Sequence, residues 1–431
     1  MKVRCAIFLA CLALAAGPAH AQLRGHGGPV RALAVSADGQ TALSGSFDTS
    51  AILWSLATDT AQQVLRFHDG AVNAVAFLGR NRLATAGADA RIAIWTVGEP
   101  QPRQRLEGHT APVAALAVSP DGRTLASASW DGTVRLWPLG GDAPPEAAPR
   151  VLEGHQQNVN GVAFLPDGST VVSAGYDATL RIWPLAGGGA PMVVTLPVPL
   201  NAVAVAPDGE IFCAGADGKV YVVAQSGAVL AAIAASDTPI IALAVSRDGA
   251  LIAAAGIRGA VAVIDRAVRA VARTLVGPGL PVWSAAFLPD DRTLLTGGAD
   301  RVIRRWNALT SEPIGTAADG SPADPLAAYA GDPGAEVFRA CVACHTLKPD
   351  QGNRAGPSLS GLFGRRIASL NGYNFSPALK QLDIVWTPET VAKLFELGPA
   401  TFTPGTKMPE QTISSAADRT ALVKFLQRAT E

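Results

Sequence analysis

The sequence predicts two folded parts: an all-β propeller of seven blades and, after it, a smaller all-α part. The first three hundred residues repeat with a period of about 41 residues, and seven copies can be counted. After residue 316 this repeat stops, and helical patterns replace the short apolar strands. The length of 431 residues is sufficient for two domains.

Residues 1–21 predict a secretory signal peptide. Lys2 and Arg4 precede an apolar run from Ala6 to Ala16, and Ala19-His20-Ala21 has the A-x-A form of a cleavage site. A membrane anchor is the alternative, but this run is well short of the roughly 20 residues that span a bilayer. We therefore expect cleavage after Ala21 and a periplasmic protein that does not span the membrane.

Composition restricts the functional classes. Hydrophobic residues make up 48% of the chain and charged residues 16%, and the formal net charge is zero, which argues against nucleic acid as a partner. Without the signal peptide the chain keeps three cysteines, Cys213, Cys341 and Cys344, and an odd number does not indicate a disulfide framework.

Each repeat has the anatomy of a propeller blade. The clearest copy, Leu106 to Leu139, contains an apolar strand, a Pro-Asp-Gly turn, a second strand, an Asp-Gly turn and a third strand that ends at Trp137. Three or four short strands per unit, repeated along the chain, are typical of blades. The seven copies end at Trp54, Trp95, Trp137, Trp183, Val223, Ile264 and Trp306.

The copies resemble WD repeats in their Gly-His pair, Asp turn and closing Trp. This resemblance implies that His, Ser or Thr, Asp and Trp form one hydrogen-bonded chain within a blade. Pro278 replaces the His in the seventh copy, and the fifth and sixth copies lack both His and Trp. The histidines of the first four copies are therefore expected to be structural, and Cys213 is expected to be a small buried thiol. The four candidate sets are His26, Ser44, Asp48 and Trp54; His68, Thr85, Asp89 and Trp95; His109, Ser127, Asp131 and Trp137; and His155, Ser173, Asp177 and Trp183.

Closure of the ring requires an outer strand for the last blade. Residues 312–316 and residues 22–24 are both candidates, and the second would lock the two ends of the propeller together. Because the N-terminus is short after signal cleavage, we expect residues 312–316 to supply this strand.

The change in pattern predicts four segments: a signal peptide at 1–21, the propeller at 22–315, a linker at 316–332 and a second domain at 333–431. The linker is rich in Ala, Asp, Gly and Pro and shows no strand alternation. Residues 334–340 predict a short helix that leads into two cysteines. Residues 418–429 predict a second helix, with Leu422, Phe425 and Leu426 on one face.

Cys341, Cys344 and His345 form a C-x-x-C-H motif, which indicates covalent attachment of one haem c. Both thiols add to the haem vinyl groups, and the adjacent imidazole turns to the iron. A structural zinc site takes four Cys or His ligands, and this domain has three. A dithiol redox motif is expected in a thioredoxin-like βαβ pattern, which the sequence does not show. Met408 is the only methionine after His345 and is the candidate second ligand of the iron.

Residues 334–431 resemble a class I cytochrome c. The motifs "GPSLSGLFGRR", "GYNF", "IVW", "PGTKM" and "DRTALVKFLQRAT" occur in the order of that family. The resemblance implies that His345 is the proximal and Met408 the distal iron ligand. It further implies that the Pro357 carbonyl accepts a hydrogen bond from the His345 ring, and that Arg365 and Trp386 contact a haem propionate.

The same resemblance implies that Gly334 and Phe338 pack the first helix of this domain against the last. We therefore expect an exported cytochrome c that transfers single electrons, with the propeller as a docking platform for an unidentified redox partner protein. With both axial positions filled the iron has no open site, which favours electron transfer over catalysis. The alternatives are an oxidoreductase with a catalytic site in the propeller and a redox- or gas-sensing scaffold.

Overall fold

The computed structural model describes residues 22–140, 148–187, 189–315, 326–339, 341–342, 345–349, 356–371, 373, 375, 377–406, 408 and 412–431. The predicted signal peptide, most of the predicted linker and Cys344 lie outside these residues. Within the described ranges, no helix combines the length and the apolar character needed to cross a membrane.

Seven four-stranded antiparallel sheets form the propeller, which confirms the predicted blade count. The first strand, β1 (Gln22–Arg24), belongs to the last blade. Blades 1 to 3 consist of β2 (Val30–Val35), β3 (Thr41–Ser46), β4 (Ser50–Ser55), β5 (Thr60–Arg66); β6 (Val72–Phe77), β7 (Arg82–Gly87), β8 (Ile92–Thr96), β9 (Gln104–Leu106); and β10 (Val113–Val118), β11 (Thr124–Ser129), β12 (Thr133–Pro138), β13 (Arg150–Glu153).

Blades 4 to 7 consist of β14 (Val159–Phe164), β15 (Thr170–Gly175), β16 (Thr179–Pro184), β17 (Met192–Thr195); β18 (Leu200–Val205), β19 (Ile211–Gly215), β20 (Lys219–Val223), β21 (Val229–Ala234); β22 (Ile240–Val245), β23 (Leu251–Gly256), β24 (Ala260–Asp265), β25 (Ala270–Val276); and β26 (Val282–Phe287), β27 (Thr293–Gly298), β28 (Val302–Asn307). The second strand of each blade is buried along almost its whole length, because neighbouring blades cover both of its faces. This explains why these strands are rich in small residues rather than alternating in polarity.

The innermost pair of strands has the same irregularity in every blade. The register shifts after the first residue of the inner strand, so that the second residue forms a bulge. In three blades this second residue is an asparagine whose Nδ2 donates to a backbone carbonyl of the next blade. The donors are Asn73, Asn160 and Asn201, at 2.9–3.1 Å from their acceptors. These side chains therefore link consecutive blades around the centre of the ring.

The ring is closed by residues 22–24, the alternative to the predicted residues 312–316. Strand β1 pairs with Val302–Arg304 of β28, so the prediction that residues 312–316 supply the outer strand was wrong. Residues Glu312 and Ile314 pair only with the other half of β28, where Pro313 forms a single bridge to Trp306. Three residues suffice for β1 because Leu23 is buried among blade residues, which compensates for the short strand.

The second domain is helical. It contains a short 3₁₀ helix (Ala327–Tyr329) and α1 (Pro333–Phe338), α2 (Pro377–Gln381), α3 (Pro388–Leu397), α4 (Pro399–Phe402) and α5 (Ala416–Ala429). Asp332, Thr387 and Ser415 cap α1, α3 and α5 with their side-chain oxygens.

Helices α1 and α5 pack closely, as the resemblance to class I cytochrome c implies for Gly334 and Phe338. A Cβ on Gly334 would lie 2.1 Å from the backbone oxygen of Ala421, so only glycine allows this approach. The Phe338 and Phe425 rings lie 5.4 Å apart between centroids, and Tyr329 meets Phe425 edge-on at 5.1 Å. Residues 326–332, which the sequence assigns to the linker, therefore pack with the second domain.

Candidate functional site

The cysteine-histidine motif follows directly from α1. The backbone N–H of Cys341 donates to the Phe338 carbonyl at 2.7 Å, and that of His345 donates to the Cys341 carbonyl at 2.9 Å. The second bond spans four residues, so Cys341 and His345 are one helical turn apart on one side of the chain. Cys341 is buried. Cys344 lies between them in sequence but outside the described residues.

His345 is held by the segment that follows twelve residues later. Its Nδ1 lies 2.9 Å from the backbone oxygen of Pro357. A carbonyl can only accept, so Nδ1 carries the proton and Nε2 is the nitrogen with a lone pair for a metal.

Gly356 packs against the face of the His345 imidazole. A Cβ at this position would lie 2.3–2.7 Å from three atoms of the His345 ring, so the ring rests directly against the backbone. Gly356 was not predicted as a site residue, although it directly precedes Pro357 in the sequence. An imidazole locked at its edge and face, one turn from a buried thiol, fits the attachment of a haem c.

Arg365 and Trp386 are brought together by backbone pairing. The Trp386 N–H donates to the Arg365 carbonyl at 2.9 Å. The Arg365 guanidinium donates to the carbonyls of Ser358 and Ser360, both at 2.9 Å, and its partial burial lowers its pKa. Arg365 therefore also braces the segment that carries the Pro357 carbonyl, a role that no sequence motif indicated.

Met408 is partly buried and, like Trp386, packs against the hydrophobic cluster of the second domain, which includes Cys341. Its N–H donates to the Thr406 hydroxyl at 3.1 Å, and the Thr406 N–H donates to the Thr403 carbonyl at 3.0 Å. A hydrogen-bonded turn thus precedes the methionine.

The four predicted hydrogen-bonded chains of the propeller are present. In blade 3, His109 Nδ1 lies 2.7 Å from Asp131, its Nε2 lies 2.7 Å from Ser127 Oγ, and the Trp137 indole N–H donates to the same hydroxyl at 2.8 Å. The equivalent contacts occur in blades 1, 2 and 4 at 2.7–3.0 Å. In blade 7, where Pro278 replaces the histidine, Arg304 pairs with the turn carboxylate.

These contacts determine the electrostatics of the blade turns. Burial by itself raises the pKa of Asp48 and Asp89, but the hydrogen bonds and charges of His26 and His68 outweigh it and lower both to about 2. Burial lowers the pKa of His109 and His155 below the usual 6.5.

Other candidate ligands of the propeller are occupied or inert. Cys213 is fully buried, and burial raises the pKa of its thiol to about 12, as expected for a structural cysteine. Across the part of the chain that the structure describes, no group of three or more His, Cys, Asp or Glu side chains could hold a metal ion.

Comparison with known proteins assigns both parts. The family model for the WD domain, G-beta repeat, matches residues 17–55, 60–96, 100–138, 148–184 and 270–307, and the model for cytochrome c matches residues 331–430. The unmatched stretch contains blade 5 and the first three strands of blade 6, the two blades that lack the His and the Trp. Proteins homologous to the second domain bind covalently attached haem c.

Single-domain relatives align with the second domain alone. Cytochrome c of Cochliobolus lunatus is 41% identical over 99 residues, which are 23% of this chain and 91% of that protein. Cytochrome c of Arabidopsis thaliana is 41% identical over 99 residues, 23% of this chain and 88% of the relative. Cytochrome c of Gibberella zeae is 39% identical over 99 residues, which are 23% of this chain and 92% of that protein. Through residues 331–430 the chain therefore belongs to the cytochrome c family, and it joins this domain to a seven-bladed propeller of WD repeats.

Proposed function

We propose that this chain is a periplasmic electron carrier whose class I cytochrome c domain holds one haem c between His345 and Met408. Cys341 and Cys344 would carry the two thioether bonds. When bound, the haem supplies reversible one-electron chemistry at its iron. The observation that carries the proposal is the 2.9 Å contact between His345 Nδ1 and the Pro357 carbonyl, since it directs Nε2 to coordination.

The surrounding residues would orient this group. Gly356 and the Pro357 carbonyl hold the imidazole plane, and Arg365 and Trp386 would contact a haem propionate. The bonds from Arg365 to Ser358 and Ser360 stabilise the segment around Pro357, so this cation would serve both the propionate and the proximal histidine. Met408 would complete the coordination, and an iron with two protein ligands exchanges electrons without binding a substrate.

The propeller would act as the docking platform for a redox partner protein. The residues before the turn aspartates of blades 3 and 4, Trp130 and Tyr176, each expose 46% of their surface. Exposed large aromatic side chains are enriched at protein interfaces. The location in the periplasm rests on the signal-like pattern of residues 1–21.

Covalent haem attachment is the direct test. Full-length protein should retain peroxidase-active haem in its band on a denaturing gel, and this band should occur in the periplasmic fraction. Replacing both Cys341 and Cys344 with Ser should abolish the haem signal, because haem without thioether bonds dissociates on denaturation. Cys213→Ala is the matched control, since it removes a buried propeller thiol and should leave the signal intact.

Two results would contradict the proposal. Haem lost from the wild-type band under denaturation would exclude covalent attachment. A haem-positive band found only in the cytoplasmic fraction, with residues 1–21 still attached, would exclude the periplasmic location.

A further inference from the structure

The turn before Met408 touches α2 through a position where only glycine fits. Gly405 has φ +79°, a conformation that disfavours a side chain. A Cβ there would lie 2.4 Å from the Cβ of Ala378, closer than two non-bonded carbon atoms can approach. The motif PGTKM contains this glycine, but the sequence does not show what the glycine contacts.

We propose that the contact between Gly405 and Ala378 positions Met408 for iron ligation, so that α2 acts as the support of the methionine loop. The inference rests on the proposed function, since it takes Met408 as the second iron ligand. It assigns positioning roles to Gly405 and Ala378, neither of which belongs to the ligand set.

The link from this contact to the methionine is short and well defined. The Thr406 N–H donates to the Thr403 carbonyl and the Met408 N–H donates to the Thr406 hydroxyl, at 3.0 and 3.1 Å. Because these bonds make the turn one unit, a displacement of Gly405 moves the Met408 backbone as well. Ligand sites require placement within about 0.5 Å, so such a shift is enough to break a thioether–iron bond.

The contact lies at the surface of the domain. Gly405 and Ala378 are both exposed, whereas Phe338 and Phe425 of the α1–α5 interface are fully buried. A side chain added at Gly405 is therefore accommodated by outward movement of the loop, while the helical core stays packed. This separates an effect on ligation from an effect on folding.

The test compares the full-length haem-loaded protein with four variants, one of which, Met408→Ala, removes the proposed ligand itself. Gly405→Ala should lose most of the weak long-wavelength sulfur-to-iron absorption of the ferric form, lower the reduction potential and bind carbon monoxide faster. Adding Ala378→Gly should restore these properties, because it removes the methyl group that the new Cβ meets. Gly331→Ala is the matched control. Gly331 has φ +82°, so alanine there meets the same backbone strain as at Gly405, but no atom lies within 4 Å of its Cβ and there is no clash.

The outcomes separate this inference from the proposed function. A wild type without the sulfur-to-iron band, or one unchanged by Met408→Ala, overturns the ligand assignment and this inference with it. A band that is present in the wild type and persists in Gly405→Ala overturns the positioning role alone. So does a loss that Ala378→Gly fails to restore, or one that Gly331→Ala reproduces.

Discussion

The histidines of the two domains differ in their hydrogen-bond partners. His109 and its three counterparts engage a carboxylate at Nδ1 and a hydroxyl at Nε2, so both ring nitrogens are bound within a blade. His345 instead meets a neutral backbone carbonyl at Nδ1, one turn from a buried thiol. Blade residues thus occupy both ring nitrogens of the propeller histidines, whereas the Nδ1 contact of His345 fits the iron-binding role proposed for it.

The largest effects are expected when one histidine of each domain is replaced by alanine. His345→Ala should abolish the low-spin haem spectrum and leave propeller unfolding unchanged, because the blades do not use this side chain. His109→Ala should keep the haem spectrum and lower the unfolding temperature of the propeller. Visible absorption and a thermal melt followed by far-UV circular dichroism measure both. If His109→Ala removed the haem spectrum, the propeller histidine would serve a cofactor.

Removal of the carboxylate of a blade turn should have a smaller effect, on the stability of the propeller. Asp131→Ala removes the acceptor of His109 Nδ1 and of the Thr133 hydroxyl, and should cost about 1–3 kcal/mol because these donors lose their partner. Denaturant unfolding of the full chain gives this value.

Blade 5 provides the matched control for that substitution. Asp217 is the equivalent residue and accepts from the Tyr221 hydroxyl at 2.9 Å, in a blade that has no histidine. Asp217→Ala should destabilise the propeller less than Asp131→Ala. Equal losses would show that the histidine chain adds nothing to the turn.

The smallest effect is a dependence of propeller stability on pH. His109 and His155 have folded-state pKa values below 6.5, so the unfolded chain binds more protons and stability falls as pH drops below about 6.5. Asp48 and Asp89 have folded-state pKa values of about 2 against the usual 3.8, so a second loss follows between about pH 4 and 2.

Thermal melts at a series of pH values measure this dependence. His109→Ala should flatten the upper part of the profile, since one of the two histidines that take up protons on unfolding is removed. A wild-type melting temperature that stays constant from pH 7 to 5 would contradict the assignment of neutral buried histidines.

Features that recur at fixed spacing could be predicted before the fold was seen. The regular period of the repeat predicted seven blades, and its resemblance to WD repeats implied four hydrogen-bonded chains. The C-x-x-C-H motif of Cys341, Cys344 and His345 indicated haem c by itself, because thiols and imidazole so close together have few other uses. In each case the residues that cooperate are close in sequence or repeat in register.

Only the tertiary structure decided how distant segments meet. The closing strand β1 pairs with β28, almost three hundred residues away, and the burial of Leu23 rather than the length of the strand made this pairing favourable. The contact of Gly356 with His345 and that of Gly405 with Ala378 are possible only because the two glycines have no side chain. The sequence shows that a residue is glycine, but not which atoms lie where its Cβ would be. Those neighbours are known only from the folded structure.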